Sequence, residues 1–511
     1  MDPLSAAGDE PRSLAVIDVG SNSFRLVVFS YTAQWWKRTD EIHESVRVGE
    51  GLEASGALQP EPAERALETL ELYAHFCRAT GIETVRPVAT SAIRDASNQA
   101  EFLKAAKRRS GLDVKVLSGA QEARYGYLAA INTTTLRDGV VLDLGGGSLQ
   151  LTRVADRDAL QARSWPLGAV WMTERFLGGG REQPKRKQLK ALRAHIAAEL
   201  AGAPWLRGGG RLAGIGGTVR NLAAAAELRA GQPSYGIQGF GLRRAALDEL
   251  IDAFAGMTAA ERAKVAGIKA ERGDLILAGA LVIDGVMEAG GFDALEATEA
   301  GMREGVFFET LLGEPPRFAD VRRAAVRNLA AQYHTDVVHA EHVAFLALQM
   351  WDALAAAGVH AGDADERELL WAAAMLHDIG VAVDYDDHHK HSRYIILNAG
   401  LPGFAPREVA LVGQAARYHR KGAPTLGEFA SLMRPGDGEL LNRVAAILRV
   451  AEQLERSRDQ AVHGAQVQVR DGAVELRLRA EEDVTIARWA AQRQADVFRR
   501  AFGRELLVRD A

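Results

Sequence analysis

The sequence predicts an α/β protein whose front half is built twice over, followed by an all-α part and a small α+β C-terminal segment. Three observations carry this. First, an apolar strand running into Asp, glycine and serine occurs twice, as Leu14-Ala-Val-Ile-Asp18-Val-Gly-Ser-Asn-Ser23 and as Val140-Val-Leu-Asp143-Leu-Gly-Gly-Gly-Ser148. Second, residues 318–457 keep a helical period almost throughout and hold nine of the chain's 13 histidines. Third, residues 462–480 change to alternation with a period of two, interrupted by Asp471-Gly472, which reads as a hairpin.

In order, the first half opens with a strand ending at Asp18, and residues 24–31 return as its hairpin partner. A third strand is expected over 43–48. Residues 60–80 read as a helix, with prolines where a first turn accepts them and Ala66, Leu67, Leu70 and Phe76 on one face. A strand over 84–89, a loop over 90–94, a helix over 98–109, a strand over 114–117 and a helix over 120–131 complete a strand–helix alternation. The pattern restarts with strands over 140–144 and 149–154, a helix over 187–200, a strand over 211–215, the small-residue turn Gly216-Gly217-Thr218 and a helix over 219–229. Helices over 243–255, 259–266, 274–289 and 302–312 follow, and Pro315-Pro316 marks a boundary. Such a repeat is an internal duplication with a cleft between its halves. At the C-terminal end, a single helix over 484–502 closes the chain.

Composition sets limits. The chain has 511 residues, 47% of them hydrophobic and 25% charged, enough for three or four domains. A net charge of −5 gives no overall pull toward nucleic acid or a membrane surface, so any polyanion must meet a local basic patch. Cys77 is alone, which allows no internal disulfide and fits a reducing compartment; its helical context makes it a core residue. Residues 1–13 are polar without an apolar signal core, and no apolar run is long enough to span a bilayer, so a cytoplasmic location is expected.

Two Asp–Gly loops facing a cleft suit a phosphate chain. Loops without Cβ atoms let peptide N–H groups close on anionic oxygens. Asp143 and Asp18 can hold Mg²⁺ or its waters, since Mg²⁺ favours a few carboxylates plus substrate phosphates. Activating water needs a base. Glu122 is the best candidate: it opens a helix after the turn Ser118-Gly119-Ala120, although first-turn glutamates more often only cap. Arg94, after Thr90-Ser91, can contact a phosphate bidentately.

Six ordered motifs, Asp18–Ser23, Ala89–Arg94, Ser118–Arg124, Asp143–Ser148, Gly216–Thr218 and Arg303-Glu-Gly305, resemble the exopolyphosphatase / guanosine pentaphosphate phosphatase (Ppx/GppA) family over residues 14–312. That family belongs to the superfamily of actin, sugar kinases and heat-shock chaperones. The resemblance implies two ribonuclease-H-like domains, over 14–132 and 133–313. It implies release of the terminal phosphate of inorganic polyphosphate, dependent on Mg²⁺ or Mn²⁺; the alternative is 5′-phosphohydrolysis of guanosine pentaphosphate. Glu122 matches the family's catalytic base and Asp143 its metal-binding aspartate. Ser21, Asn22, Ser23, Arg94, the loop Gly145, Gly146, Gly147 and Ser148, and Gly217 and Thr218 fall on the motifs that contact phosphate. A homodimer is expected by the same analogy. One position departs: where the family carries a glutamate two residues beyond the loop serine, this chain has Gln150. An amide brings no charge, so an inactive polyphosphate or nucleotide sensor is a further alternative.

The second half has its own pattern. His339, then His377-Asp378, then Glu452 late in a helix resemble the HD metal-phosphohydrolase fold, in which two histidines and two aspartates bind a divalent metal. The resemblance makes His339, His377, Asp378, His391, His419 and Glu452 candidates for a second metal site, with His389 beside them. The HD-like domain is expected over 318–460 and the small α+β domain over 461–511. Basic runs at 181–190, 317–327 and 417–421 are candidates to line a channel for a long polyphosphate.

Overall fold

The computed structural model describes residues 10–208, 210–470 and 472–510, all but the side chain of Glu53. Asp471 of the expected hairpin turn and residues 1–9 of the polar N-terminus lie outside the described residues. The chain divides into two compact units, one ending at Val321 and the other beginning at Arg322.

The first unit holds two sheets. In the first, β1 (Arg12–Val19), β2 (Phe24–Tyr31), β3 (Trp36–Glu44), β4 (Thr84–Ala89) and β5 (Lys115–Val116) lie in the order β3-β2-β1-β4-β5. The second sheet contains β6 (Gly139–Leu144), β7 (Leu149–Ala155), β8 (Asp158–Trp165), β9 (Arg211–Ile215), β10 (Gly241–Arg243) and β11 (Ala294–Ala297), ordered β10-β11-β9-β6-β7-β8. Read from the other edge, β8-β7-β6-β9-β11 repeats the first order. The pairings repeat as well: two antiparallel ladders, then two parallel ones. The duplication in sequence is thus a duplication in topology. Strands β1 and β6 are buried on both faces because helices cover them, which is why they read as unbroken apolar runs.

Two helices, Gly119–Ile131 and Met302–Leu312, contribute to a buried cluster that also takes Val16 and Val88 from the first sheet and Val141, Ala213 and Ile215 from the second. They pack against each other at Gly305, where a Cβ would run into the Tyr125 carbonyl oxygen. The carboxylate of Glu309 ties them further, accepting from Tyr125 Oη at 2.9 Å and from Arg124.

The structure corrects several expected elements. The third strand is Trp36–Glu44, not 43–48; its exposed Lys-Arg-Thr-Asp-Glu run hides the alternation, and Arg47 turns the chain with a positive φ of 53°. Edge strand β8, also mostly exposed, and the short β10 and β11 carry no sequence signal of their own. A helix at Ala169–Leu177 was not expected. Cys77 is buried in the Pro60–Ala79 helix, as a core residue.

The second unit has helices at Val337–Ala356, Ala364–Leu376, His388–Ala399, Pro406–Tyr418 and Asp437–Leu454. The sheet β12-β13-β14 (Gly464–Arg470, Ala473–Arg479, Glu505–Asp510) shares one buried cluster with them, from Val326 to Val508. The expected final helix is two, Thr485–Gln492 and Ala495–Phe502, and the chain then returns as β14 parallel to β13. No helix among the described residues is long and apolar enough to cross a membrane.

Candidate active site

The two Asp–Gly hairpins meet at one cleft in the first unit. It is lined by Asp18, Ser21, Asn22, Ser23, Glu122, Asp143, Gly145, Gly146, Ser148, Gln150 and Gly217, together with Arg25, Arg220, Arg272 and Arg303. Each carboxylate is set by an element that ends there. Asp18 and Asp143 stand at the C-terminal ends of parallel-paired strands, where open α/β sheets place their ligands. Glu122 comes from the first turn of the Gly119–Ile131 helix. Capping of that helix falls to Ser118, whose side chain accepts from the Gln121 amide at 3.2 Å, while Gln121 Oε1 accepts from the Ser118 amide at 3.0 Å. Glu122 is therefore relieved of the capping role and reaches the cleft.

The Glu122 carboxylate is gripped from two sides. Oε1 accepts from Arg94, which also donates to the Leu117 carbonyl at 3.0 Å. Oε2 accepts from Gln150 Nε2 at 3.0 Å and from Ser148 Oγ at 3.3 Å. The same Gln150 amide reaches Ser148 Oγ at 2.8 Å and Ser164 Oγ at 3.1 Å. Burial raises the Glu122 carboxyl above its ordinary value, against the pull of Arg94 and Ser148. Asp143 is pushed up to about 7, first by burial, then by the charges of Glu122 and Asp18. Asp18 is raised by burial and partly relieved by Arg303, whose Nη1 is 3.4 Å from Oδ2.

These shifts mark carboxylates that burial has cut off from water, which tests the cleft for a cation. Asp143, raised by burial and by two neighbouring carboxylates, fits a hard divalent ion best; Glu122 and Asp18 already share guanidiniums, from Arg94 and Arg303. Opposite charge is crowded as well. Burial, then Arg303 and Arg25, lower Arg220 to about 10, and Arg272 is lowered by burial and Arg25. Clustered guanidiniums of this kind suit a polyanion, which relieves their mutual repulsion.

Glycines bring these parts together. A Cβ on Gly126, one turn after Glu122, would lie 3.1 Å from Asp143 Oδ2, so glycine there lets the Glu122 helix pack tightly against the carboxylate. A Cβ on Gly168 would strike the Gly146 carbonyl, which accepts from the Val170 amide at 2.8 Å and fixes the loop.

Not every expected residue reaches the cleft. Arg94 stands behind Glu122 as its ion-pair partner rather than lining the cavity. Gly147 faces Ser91 across the lobes, and Thr218 packs on Gly279 of the Ile276–Gly290 helix. The Gly145 amide is used within its own loop, donating to the Ser148 carbonyl at 3.0 Å. Conversely, Arg25, Arg220 and Arg272 were not foreseen. Arg25 had a signal, seven residues after Asp18 just as Gln150 is seven after Asp143, and Arg303 lay in a recognised motif without an assigned role. Of the basic run at 181–190, Arg181 borders a second pocket beside the cleft, lined also by Asn22, Arg47 and Asp274; Arg186 and Lys187 line neither.

In the second unit His339, His377 and Asp378 come together, and Asp378 also meets His388 and His419. His391 and Glu452 are not in either group. The helix begins at His388 after Asp387, so His388 rather than His391 turns inward, while the Glu452 carboxylate is taken by Gln453 and Arg456.

Residues 27–314 match the Ppx/GppA phosphatase family, and residues 321–492 match domain III of the same family. The chain belongs to the Ppx/GppA phosphatase family. A guanosine-5′-triphosphate,3′-diphosphate pyrophosphatase from Vibrio atlanticus is 28% identical over 461 residues, 88% of each chain. The crystal structure of the Aquifex aeolicus member of the Ppx/GppA family is 29% identical, with a TM-score of 0.52 over 60% of this chain and 99% of that one. An exopolyphosphatase from Cytophaga hutchinsonii, 22% identical, has the same fold, with a TM-score of 0.55 over 60% of this chain and all of the other.

Proposed function

We propose that the cleft removes the terminal phosphate of inorganic polyphosphate by hydrolysis. The observation that carries this is the opposition of three carboxylates, Asp18, Glu122 and Asp143, to four arginines, Arg25, Arg220, Arg272 and Arg303, around one cavity. In this reading the arginines and the helix N-terminus at Gly217 bind the chain's oxygens and orient the terminal phosphoryl group. Glu122 removes a proton from the attacking water, its carboxylate aimed by Arg94 and Gln150. Asp143, with Asp18, would hold Mg²⁺ or Mn²⁺, and the ion when bound neutralises charge on the phosphoryl oxygens. Gln150 acts as a donor to the base in place of a charged neighbour, which favours an active enzyme over a sensor.

Guanosine pentaphosphate is the second reading for the same residues, supported by the Vibrio relative aligned over 88% of this chain. Phosphate release from polyphosphate and from guanosine pentaphosphate, with and without Mg²⁺, tests both. Release from neither would end the hydrolase proposal, and the ratio of the two kcat/KM values assigns the substrate. The same proposal includes ribonuclease-H-like domains over 14–132 and 133–313, an HD-like domain over 318–460, a small domain over 461–511, a homodimer and a cytoplasmic setting consistent with the single buried Cys77. Light scattering of the purified chain tests the dimer.

A further inference from the structure

Three of the four cleft arginines are anchored by their guanidiniums. Arg25 Nη1 donates to Glu41 at 3.0 Å, Arg303 Nη1 to Asp18 at 3.4 Å and Arg220 Nη1 to the Glu299 carbonyl at 2.8 Å. Arg272 is different. No acceptor among the described residues takes a hydrogen bond from its guanidinium; only burial and the charges of Arg25, Glu271 and Asp274 act on it. A Cβ on Gly217 would run into its Nη2, so the head lies over the bare start of the Gly217–Arg229 helix. A long side chain whose head has no partner takes its aim from its backbone.

That backbone is held from behind by another arginine. Arg262 ends the short Ala259–Arg262 helix and is 1% exposed. Its guanidinium donates to main-chain carbonyls alone: Nε to Phe254 at 2.9 Å, Nη2 to Met257 at 2.7 Å, and Nη1 to Gly180 at 3.2 Å and Gly273 at 3.4 Å. Gly273 directly follows Arg272. Three stretches of chain cross at this point. A Cβ on Gly180 would run into the Asp274 carbonyl and one on Gly273 into the Ala259 carbonyl, while the Ala259 amide donates to the Arg181 carbonyl at 3.0 Å. From the crossing, Arg272 and Leu275 reach the cleft, and Asp274 and Arg181 reach the pocket beside it. No carboxylate is hydrogen-bonded to Arg262; the opposing charges that act on it are those of Asp274 and Glu261. Burying a charge without a bonded counter-ion is costly, and a well-packed apolar side chain would fill such a space at less cost. An apolar side chain could not, however, hold carbonyls of separate segments in one planar fork.

We infer that Arg262 is a positioning residue for substrate binding: through the Gly273 carbonyl it sets the backbone that aims the unanchored Arg272 at the cleft. This role rests on the reading of the cleft as a phosphate-releasing site, and it gives a side chain that never meets the substrate a share in how tightly the substrate is held. Lysine keeps the charge of Arg262 but offers a point donor in place of a fork, so Arg262→Lys separates charge from geometry.

The test is a double-mutant cycle in the full chain, with phosphate release followed from inorganic polyphosphate and from guanosine pentaphosphate in Mg²⁺. On the substrate that is turned over, Arg272→Gln and Arg262→Lys should each raise KM about tenfold and change kcat less than about twofold. Together they should raise KM no further than Arg272→Gln does alone, because the one acts through the other. Two factors that multiply would make Arg262 a support of the fold only, and overturn the inference. An unmoved KM beside a lowered melting temperature in Arg262→Lys overturns it as well. Release from neither substrate by the unaltered chain would instead end the hydrolase reading, and the positioning role with it. Should Arg262→Lys fail to fold, Gly180→Ala, which presses on the same segment at the Asp274 carbonyl, takes its place in the cycle with the same expected and overturning results.

Discussion

The hairpin around Asp18 and the hairpin around Asp143 share a backbone and differ in charge. In each, an aspartate ends the first strand and pairs in register with a residue seven positions on: Asp18 with Arg25, Asp143 with Gln150. Arg25 is anchored by Glu41 on β3 at 3.0 Å, and Gln150 by Ser164 on β8 at 3.1 Å. Around the first aspartate the chain gathers Arg25 and Arg303. Around the second it gathers Glu122 and the amide that steers it. The side of the cleft around Asp18 is thus lined by guanidiniums, and the side around Asp143 by a second carboxylate, drawn from both halves of the duplicated scaffold. Duplication supplies the geometry, and the same register position differs in charge between the copies, Arg25 in one and Gln150 in the other.

This division can be broken from either side. The largest effect is expected at the base: Glu122→Gln should lower kcat by about 10³-fold with little change in KM, within the range general bases contribute. A stopped assay with unchanged circular dichroism checks it, and activity close to that of the unaltered chain would remove Glu122 from its role. On the cationic side of the cleft, Arg303→Gln should lower kcat/KM by about 10–100-fold, the equivalent of about 1.5–3 kcal/mol for a charge-assisted bond, mostly through KM. A loss confined to kcat would place Arg303 on the wrong side of the comparison.

The pH profile sharpens the contrast. As the proposed base, Glu122 has to be ionised, and its carboxyl is raised by burial, so kcat should fall on acidification at a pH above the ordinary carboxylate range. Gln150→Glu replaces a donor with a like charge beside the base, and should move that acidic limb up by about one unit. An unmoved limb would mean that position 150 does not act on Glu122. The smallest effect is on stability. Asp143 has a folded-state value of about 7, above that of an unfolded aspartate. Its contribution is therefore fully present at low pH and lost as pH rises through about 7. In metal-free protein, Asp143→Asn should raise the melting temperature at pH 8 and leave it nearly unchanged at pH 4; differential scanning calorimetry reads both.

Much of this was legible in the sequence, for a physical reason. Buried strands ending in Asp–Gly loops carry their signal locally, so the two hairpins, Glu122 and Asp143 could be found by reading along the chain. Edge strands β3 and β8 could not, because successive residues on both of their faces are exposed and leave no apolar alternation to read. Arg220 and Arg272 reach the cleft from segments far along the chain, and no local pattern marks an arginine as buried. The choice between His388 and His391 depends on the residue at which a helix starts, the least legible property of a helix. Gln150 was noticed for the charge it lacks; only the fold reveals what its amide donates to.

Gly305 has an evolutionary consequence. The obstacle to any side chain there is the Tyr125 carbonyl, a main-chain atom that no substitution can trim. A lineage could not exchange this glycine and then recover by adjusting a neighbour, as it could in an ordinary core contact. The crossing that carries Glu122 on one helix and Arg303 on the other is thereby held fixed.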